Sequence, residues 1–284
     1  MQLRSAVVIA LIFTVVNASP AQDSSQYAAS PRHILTLSTG LSIHSLRDEL
    51  LSPLIYQGTQ APIVLSYRFR GTENRHTILL SYDHTELHSS ITRRRGDVAI
   101  AHFNNNLHLA CEYTFSTRAL VFDDLNTSLF VGGRFSSILN LRDHFFLQDK
   151  DHMSAEQITG LGLHLLTETP LQSPLHSLLS IELSVPCLSY ALLNRRYNAN
   201  VSEEFDELDF DRNLLWQLFS KGDLVSFDRF FGMQAEVSYM MIFGDHMGAD
   251  LRYRLLYYTF AQEGGLSSAR VLNDQFLIGV TVTL

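Results

Sequence analysis

The chain has 284 residues, 46% of them hydrophobic and 18% charged, with a formal net charge of −8 and a mean hydropathy of +0.04. A net acidic chain offers no electrostatic basis for a nucleic-acid partner. Two cysteines are too few for a small disulfide-stapled scaffold, and near-zero hydropathy is what strictly alternating segments average to.

The N-terminus comes first. Arg4 precedes an apolar run from Ala6 to Val16, followed by small residues at Ala18 and at Ser19-Pro20-Ala21. A basic start, a short apolar stretch and small residues predict a secretory signal peptide over 1–21, cleaved after Ala18 or Ala21. A retained anchor is the alternative, but the run falls short of the ~20 apolar residues that a spanning helix needs. The mature domain is then 22–284. No later apolar stretch approaches that length; the one around Leu178-Leu179 is soon broken by Ser180 and Glu182. A closed barrel is the other way to span a bilayer, because every backbone polar group in hydrocarbon must be bonded internally.

Alternation then recurs along the chain. Leu35, Leu37, Leu41 and Ile43 alternate with Thr36, Ser38, Gly40 and Ser42. Ile63, Leu65, Tyr67 and Phe69 oppose Ser66, Arg68 and Arg70, and Ile78, Leu80 and Tyr82 oppose Thr77, Ser81 and Asp83. Leu107, Leu109, Cys111, Tyr113 and Phe115 oppose His108, Glu112 and Thr114; Leu129, Val131 and Phe135 oppose Gly132 and Arg134. Further on, Leu161, Leu163 and Leu165 face away from Gly162 and His164, and Ile181, Leu183, Val185 and Cys187 away from Glu182 and Ser184. Phe231, Met233, Val237 and Tyr239 oppose Gln234, Glu236 and Ser238; Leu251, Tyr253, Leu255 and Tyr257 oppose Asp250, Arg252 and Arg254. Cys111 and Cys187 take outward positions on separate strands and read as small apolar residues, with a disulfide as the alternative.

These segments predict an all-β fold, a transmembrane antiparallel up-and-down β-barrel of about ten strands. Twelve is the alternative if 45–60 or 194–226 hides a hairpin. With the N-terminus in the periplasm, external loops fall near 45–60, 88–97, 136–157, 194–226 and 261–268. Periplasmic turns fall near 71–75, 117–126, 168–173 and 244–246. Long external loops and short periplasmic turns are the asymmetry expected of such barrels. Phe69, Phe115 and Tyr239 fall near one set of strand ends and Tyr82, Phe103 and Tyr257 near the other, as interfacial girdles do.

The tenth segment closes the chain. Phe276, Ile278, Val280, Val282 and Leu284 point one way, and Gly279, Thr281 and Thr283 the other. Together with this ending, the alternation and the stretch Leu183-Ser184-Val185-Pro186-Cys187-Leu188-Ser189-Tyr190 resemble uncharacterised outer-membrane β-barrel proteins of Gram-negative bacteria. The resemblance is architectural and covers most of the mature chain, although Leu284 stands where a terminal aromatic is usual. It implies location in the bacterial outer membrane and contact with its lipid and lipopolysaccharide. It also implies recognition of the C-terminal strand by the outer-membrane assembly machinery, and no cofactor.

The candidate chemistry lies on the inward face. Arg68, Arg70, Asp83, Glu112, Arg134, Glu182, Glu236, Asp250, Arg252 and Arg254 are expected to line the lumen. They read either as a filling network of ion pairs or as a charged wall selecting solutes in a narrow pore. A second cluster, Glu203, Glu204, Asp206, Glu207, Asp209 and Asp211, is expected in an external loop ahead of Leu214-Leu215-Trp216-Gln217-Leu218-Phe219. It reads as a solvated loop with a short helix, or as a cation or partner site, but its spacing matches no calcium-loop template. Arg93-Arg94-Arg95, on another external loop, suits lipopolysaccharide phosphates or the acidic loop. No Gly-x-Ser-x-Gly, His-Glu-x-x-His or phosphate loop is present, and pairs such as Asp83-His84, Asp143-His144, His88-Ser89 and His176-Ser177 are adjacent in sequence only. The expected function is a narrow pore or solute-transport barrel, then a non-conducting structural or surface-interaction barrel, and last a hydrolase.

Overall fold

In a computed structural model of the chain, the described residues are 32–49, 52–89, 93–95, 98–100, 103–144, 153–171, 177–195, 213, 216–217, 220, 222–243, 246–261 and 268–284. The proposed signal peptide and the acidic cluster at 203–211 lie outside them. The strands are β1 (Arg32–Asp48), β2 (Ser52–Gln60), β3 (Ile63–Arg70), β4 (Asn74–Ser89), β5 (Arg93–Arg95), β6 (Val98–Ile100) and β7 (Phe103–Phe122). They continue with β8 (Thr127–His144), β9 (Met153–Leu171), β10 (Ser177–Arg195), β11 (Asp223–Val225), β12 (Phe230–Phe243), β13 (Met247–Ala261) and β14 (Ser268–Thr283).

Consecutive long strands pair antiparallel, and β14 returns to β1, so the sheet closes into a ring of ten. β2 and β3 together make one member of that ring, interrupted at Ala61-Pro62, where proline has no N–H to give the ladder. The closing ladder runs unbroken from Ile34↔Thr283 to Asp48↔Ala269, and the Leu284 N–H extends it to the His33 carbonyl at 2.8 Å. Inside that seam Ser42 donates to Asn273 Oδ1 at 2.8 Å and the Thr36 and Thr281 hydroxyls meet at 3.1 Å.

The alternation sorts side chains by solvent. Leu37, Leu163 and Ile278 are 58%, 63% and 66% exposed on the outer wall, whereas their neighbours Ser38, His164 and Leu277 are buried inside. An outward apolar belt around an inward polar column inverts a soluble protein and matches a bilayer outside. Cys111 and Cys187 are free and exposed.

The rim that carries Arg32 and Leu284 has short connections. Gly71 N–H bonds Asn74 O at 2.9 Å. A 3-10 turn, Asp123–Leu125, ends on Asn126 at φ 48, a left-handed conformation that asparagine tolerates. The opposite rim has the longer connections. Several expected loops are in fact strand. The segment 45–60 is the end of β1 and all of β2 and adds no hairpin; β8 runs to His144; β9 starts at Met153; β7 runs to Phe122. The polar residues there lack alternating leucines, yet register pairing carries the strands beyond the apolar belt. Arg93-Arg94-Arg95 pairs with Val98–Ile100 in a separate two-stranded sheet.

Candidate functional site: a cross-linked lumen

Inward positions on opposite walls meet in the lumen. Glu112 on β7 is the hub of one group. It accepts from Arg254 on β13, across the barrel, and lies 2.9 Å from Arg134 on β8. Gln234 on β12 donates to its other oxygen at 3.3 Å, and the Gln234 carbonyl oxygen accepts from Arg134 and, at 3.0 Å, from Arg254.

A second group holds Glu236 and Asp250. Arg68 reaches them at 3.3 and 3.9 Å, and Arg252 at 3.2 and 2.5 Å. Arg252 also donates to Ser66 on β3 at 3.4 Å. Nearer the terminal rim Arg70 and Arg75 clamp Glu168 from the opposite wall, at 2.9 and 2.8 Å. The Arg75 guanidinium also lies 4.2 Å from the centroid of the Phe130 ring, within cation–π range.

Toward the far rim the links are mostly hydrogen bonds. Asp83 lies 2.6 Å from His44 Nε2 and accepts from Thr85 at 2.7 Å. His108 Nδ1 donates to Asn140 Oδ1 at 2.8 Å, and Asn140 donates to Tyr258 and Glu156 at 2.9 Å each. The Tyr258 hydroxyl donates to Glu156, which Arg142 pairs at 3.1 Å. Above this layer an apolar cluster, including Leu46, Tyr56, Leu87, Phe230 and Phe260, draws buried side chains from around the ring. Lumenal charges thus lie between a hydrophobic layer at one end and a smaller one of Ile34, Leu178, Met240 and Ile242 at the other.

Of the ten residues expected in the lumen, nine therefore sit in close ion pairs or hydrogen bonds. Glu182 differs. Its ion-pair contact is His164 at 3.9 Å, and its ladder partner is another carboxylate, Glu236. The alternation also places Gln234 on the inward face, but it does not single out His44, Arg75, Arg142, Glu156, Glu168 or Tyr258. Most fell in segments read as loops or at their edges, and continuing the inward parity past the last leucine of each strand finds them. Asp83 and His84 are on opposite faces, the first buried and the second exposed, so they form no rim pair. His88 contacts Glu86 at 2.8 Å on the outer wall. Among the described residues no group of three or more His, Cys, Asp or Glu side chains is placed to hold a metal ion.

A closed ten-membered antiparallel ring with an apolar outer belt, a charged interior and short turns at the terminal rim defines a transmembrane β-barrel of the outer-membrane type. No protein-family model matches the chain, and no curated protein matches it. Among solved structures it is similar to the outer membrane protease OmpT from Escherichia coli, with TM-score 0.46 and 6% identity, covering 89% of this chain and 96% of that one. It is also similar to the translocator domain of the autotransporter NalP from Neisseria meningitidis, with TM-score 0.38, 6% identity and coverage of 99% and 94%. A third is the Pseudomonas putida toluene transporter TodX, with TM-score 0.33, 9% identity and coverage of 96% and 92%. At these values the functional reading rests on this chain's own geometry.

Proposed function

We propose that this chain is a resident barrel of the bacterial outer membrane whose lumen is held closed by its own charges, and that it acts through what it presents at the membrane surface. The observation that supports this is the Glu112 hub, which ties β7 to β13 across the lumen and to β8 beside it. In a ring this narrow, interior side chains nearly fill the space. Lipid and lipopolysaccharide surround the barrel, and the closing strand Ser268–Thr283 is the segment by which assembly machinery recognises it. Encapsulated-dye efflux from liposomes carrying the refolded protein tests the reading. Retention of small ions and sugars supports a closed lumen, and rapid efflux through folded protein contradicts it.

A second reading, a gated solute passage, is favoured by one observation. Glu182 faces Glu236 beside a small cavity that Arg68, Arg70 and Arg75 also line. Such a passage opens when Glu168 releases its two arginines, so efflux that appears only in Glu168→Ala supports it.

A further inference from the structure

The barrel wall is unevenly sewn. The β10–β12 ladder runs from Ser177↔Met241 to Ser184↔Gln234 and stops there, although β12 continues to Phe230 and β10 to Arg195. Beyond the gap β10 takes a different partner, β11, at Ser189–Ala191. Two features of β10 accompany the stop. Pro186 offers no N–H, and a bulge lies between Pro186 and Leu188. The bulge belongs to the ladder with β9, which continues past it to Arg195↔Ser154. It bends β10 where the proline lacks a ladder donor, and pairing with β12 has stopped by that point.

Behind the gap lies a cleft. Its inner wall includes Ile138, Ile158 and Phe230, and its outer wall Val185, Met233 and Tyr257. Inward-facing and outward-facing residues therefore line one space. Gly160, Gly162 and Gly232 also border it, and at Gly232 a methyl would reach the Pro186 ring at 3.0 Å. Arg134 and Ser189, both on the cleft lining, each carry a buried polar atom without a hydrogen-bond partner among the described residues, Nε and Oγ respectively. Arg134 and Ser189 are only 8% and 2% exposed, and a buried polar atom left unpaired is costly.

We propose that the β10–β12 gap is a lateral binding site in the membrane wall that takes one alkyl chain ending in an oxygen acceptor, supplied from the bilayer. The chain satisfies the apolar lining, and the oxygen satisfies the donors at Arg134 and Ser189. An alkyl chain is the form of hydrocarbon that enters a narrow slot end-on. The site needs no open lumen and stands apart from whether the barrel conducts.

Photolabelling of the full protein in proteoliposomes tests this. Two probes are used, dodecanoic acid bearing a diazirine on its chain and a phosphatidylethanolamine with the same group in one acyl chain. Labelled residues are mapped by mass spectrometry. The expected result is labelling concentrated at Phe230, Ile158 and Met233 over Leu65 and Leu80 on the opposite outer wall. Labelling by the acid alone identifies a free amphiphile as occupant, and labelling by the phospholipid identifies a membrane lipid. Gly232→Leu and, independently, Ser136→Leu, at a residue that also lines the cleft, fill it, and each should lower labelling about tenfold, equivalent to roughly 1.4 kcal/mol, in protein that keeps its heat-modifiable gel mobility. Labelling spread evenly around the belt in the unaltered protein overturns the proposal. So does labelling of the cleft residues that persists in a folded filled variant.

Discussion

Glu182 and Glu236 stand directly opposite each other on β10 and β12, and the arginines are shared unequally between them. Glu236 lies 3.3 and 3.2 Å from Arg68 and Arg252, while among the described residues the one ion-pair contact of Glu182 within 4 Å is His164, at 3.9 Å. Like charges directly opposed on a ladder are destabilising. Glu182→Gln should therefore leave stability unchanged or raise it slightly, read as the urea midpoint of unfolding from lipid vesicles. A marked drop in midpoint would show that Glu182 holds the network together.

Glu112→Ala should have the opposite effect. It leaves Arg134 and Arg254 buried with their shared carboxylate gone, and breaking one side of a buried ion pair costs about 3–5 kcal/mol. The same urea titration measures it. An unchanged midpoint would mean that water replaces the carboxylate and that the bridge is not structural.

Gly132 tests the closeness of two strands. A methyl there would overlap the Phe115 carbonyl oxygen of β7, a backbone atom with little freedom to move. Gly132→Ala should cost about 1–3 kcal/mol or more from overpacking, seen as reduced heat-resistant folded band after refolding. Gly133→Ala is the control, because a methyl at Gly133 meets nothing closer than 3.7 Å.

The terminal-rim turn should respond to acid. A hydrogen bond from Arg118 holds the Glu73 carboxyl below its ordinary range, and the pair's charges add to the effect. A carboxylate depressed in the folded state contributes stability above its unfolded pKa and loses it as pH falls through the folded value. Amide exchange at Glu73 and Asn74 should therefore speed up, beyond the intrinsic pH dependence of exchange, as pH drops below the usual carboxylate range. In Arg118→Gln that extra rise should vanish.

The barrel was legible because a membrane outside imposes a period of two on every strand, and residues such as Leu37 and Ile278 report it without reference to any partner. The lumenal residues were legible for the same reason, by parity with those leucines. Their connections were not. Nothing in the spacing of Glu112 and Arg254 says that they meet, because contacts across a barrel depend on strand tilt and register around the whole ring. The segment 45–60 reads as a loop because its inward residues, Leu46, Asp48 and Tyr56, sit in stretches without a regular apolar alternation. The β10–β12 gap left one trace, Pro186 inside an otherwise regular strand, whose meaning depends on which neighbour it fails to pair.

Single-channel recording of the refolded, unaltered protein in a planar bilayer tests the closed lumen most directly, with insertion verified by protease protection. A lumen closed by its own charges gives a silent bilayer, with no discrete ion-conducting steps across the physiological voltage range. Steady, uniform steps whose size or ion selectivity changes on substituting Arg252 would contradict it and make the charged interior the wall of an open pore.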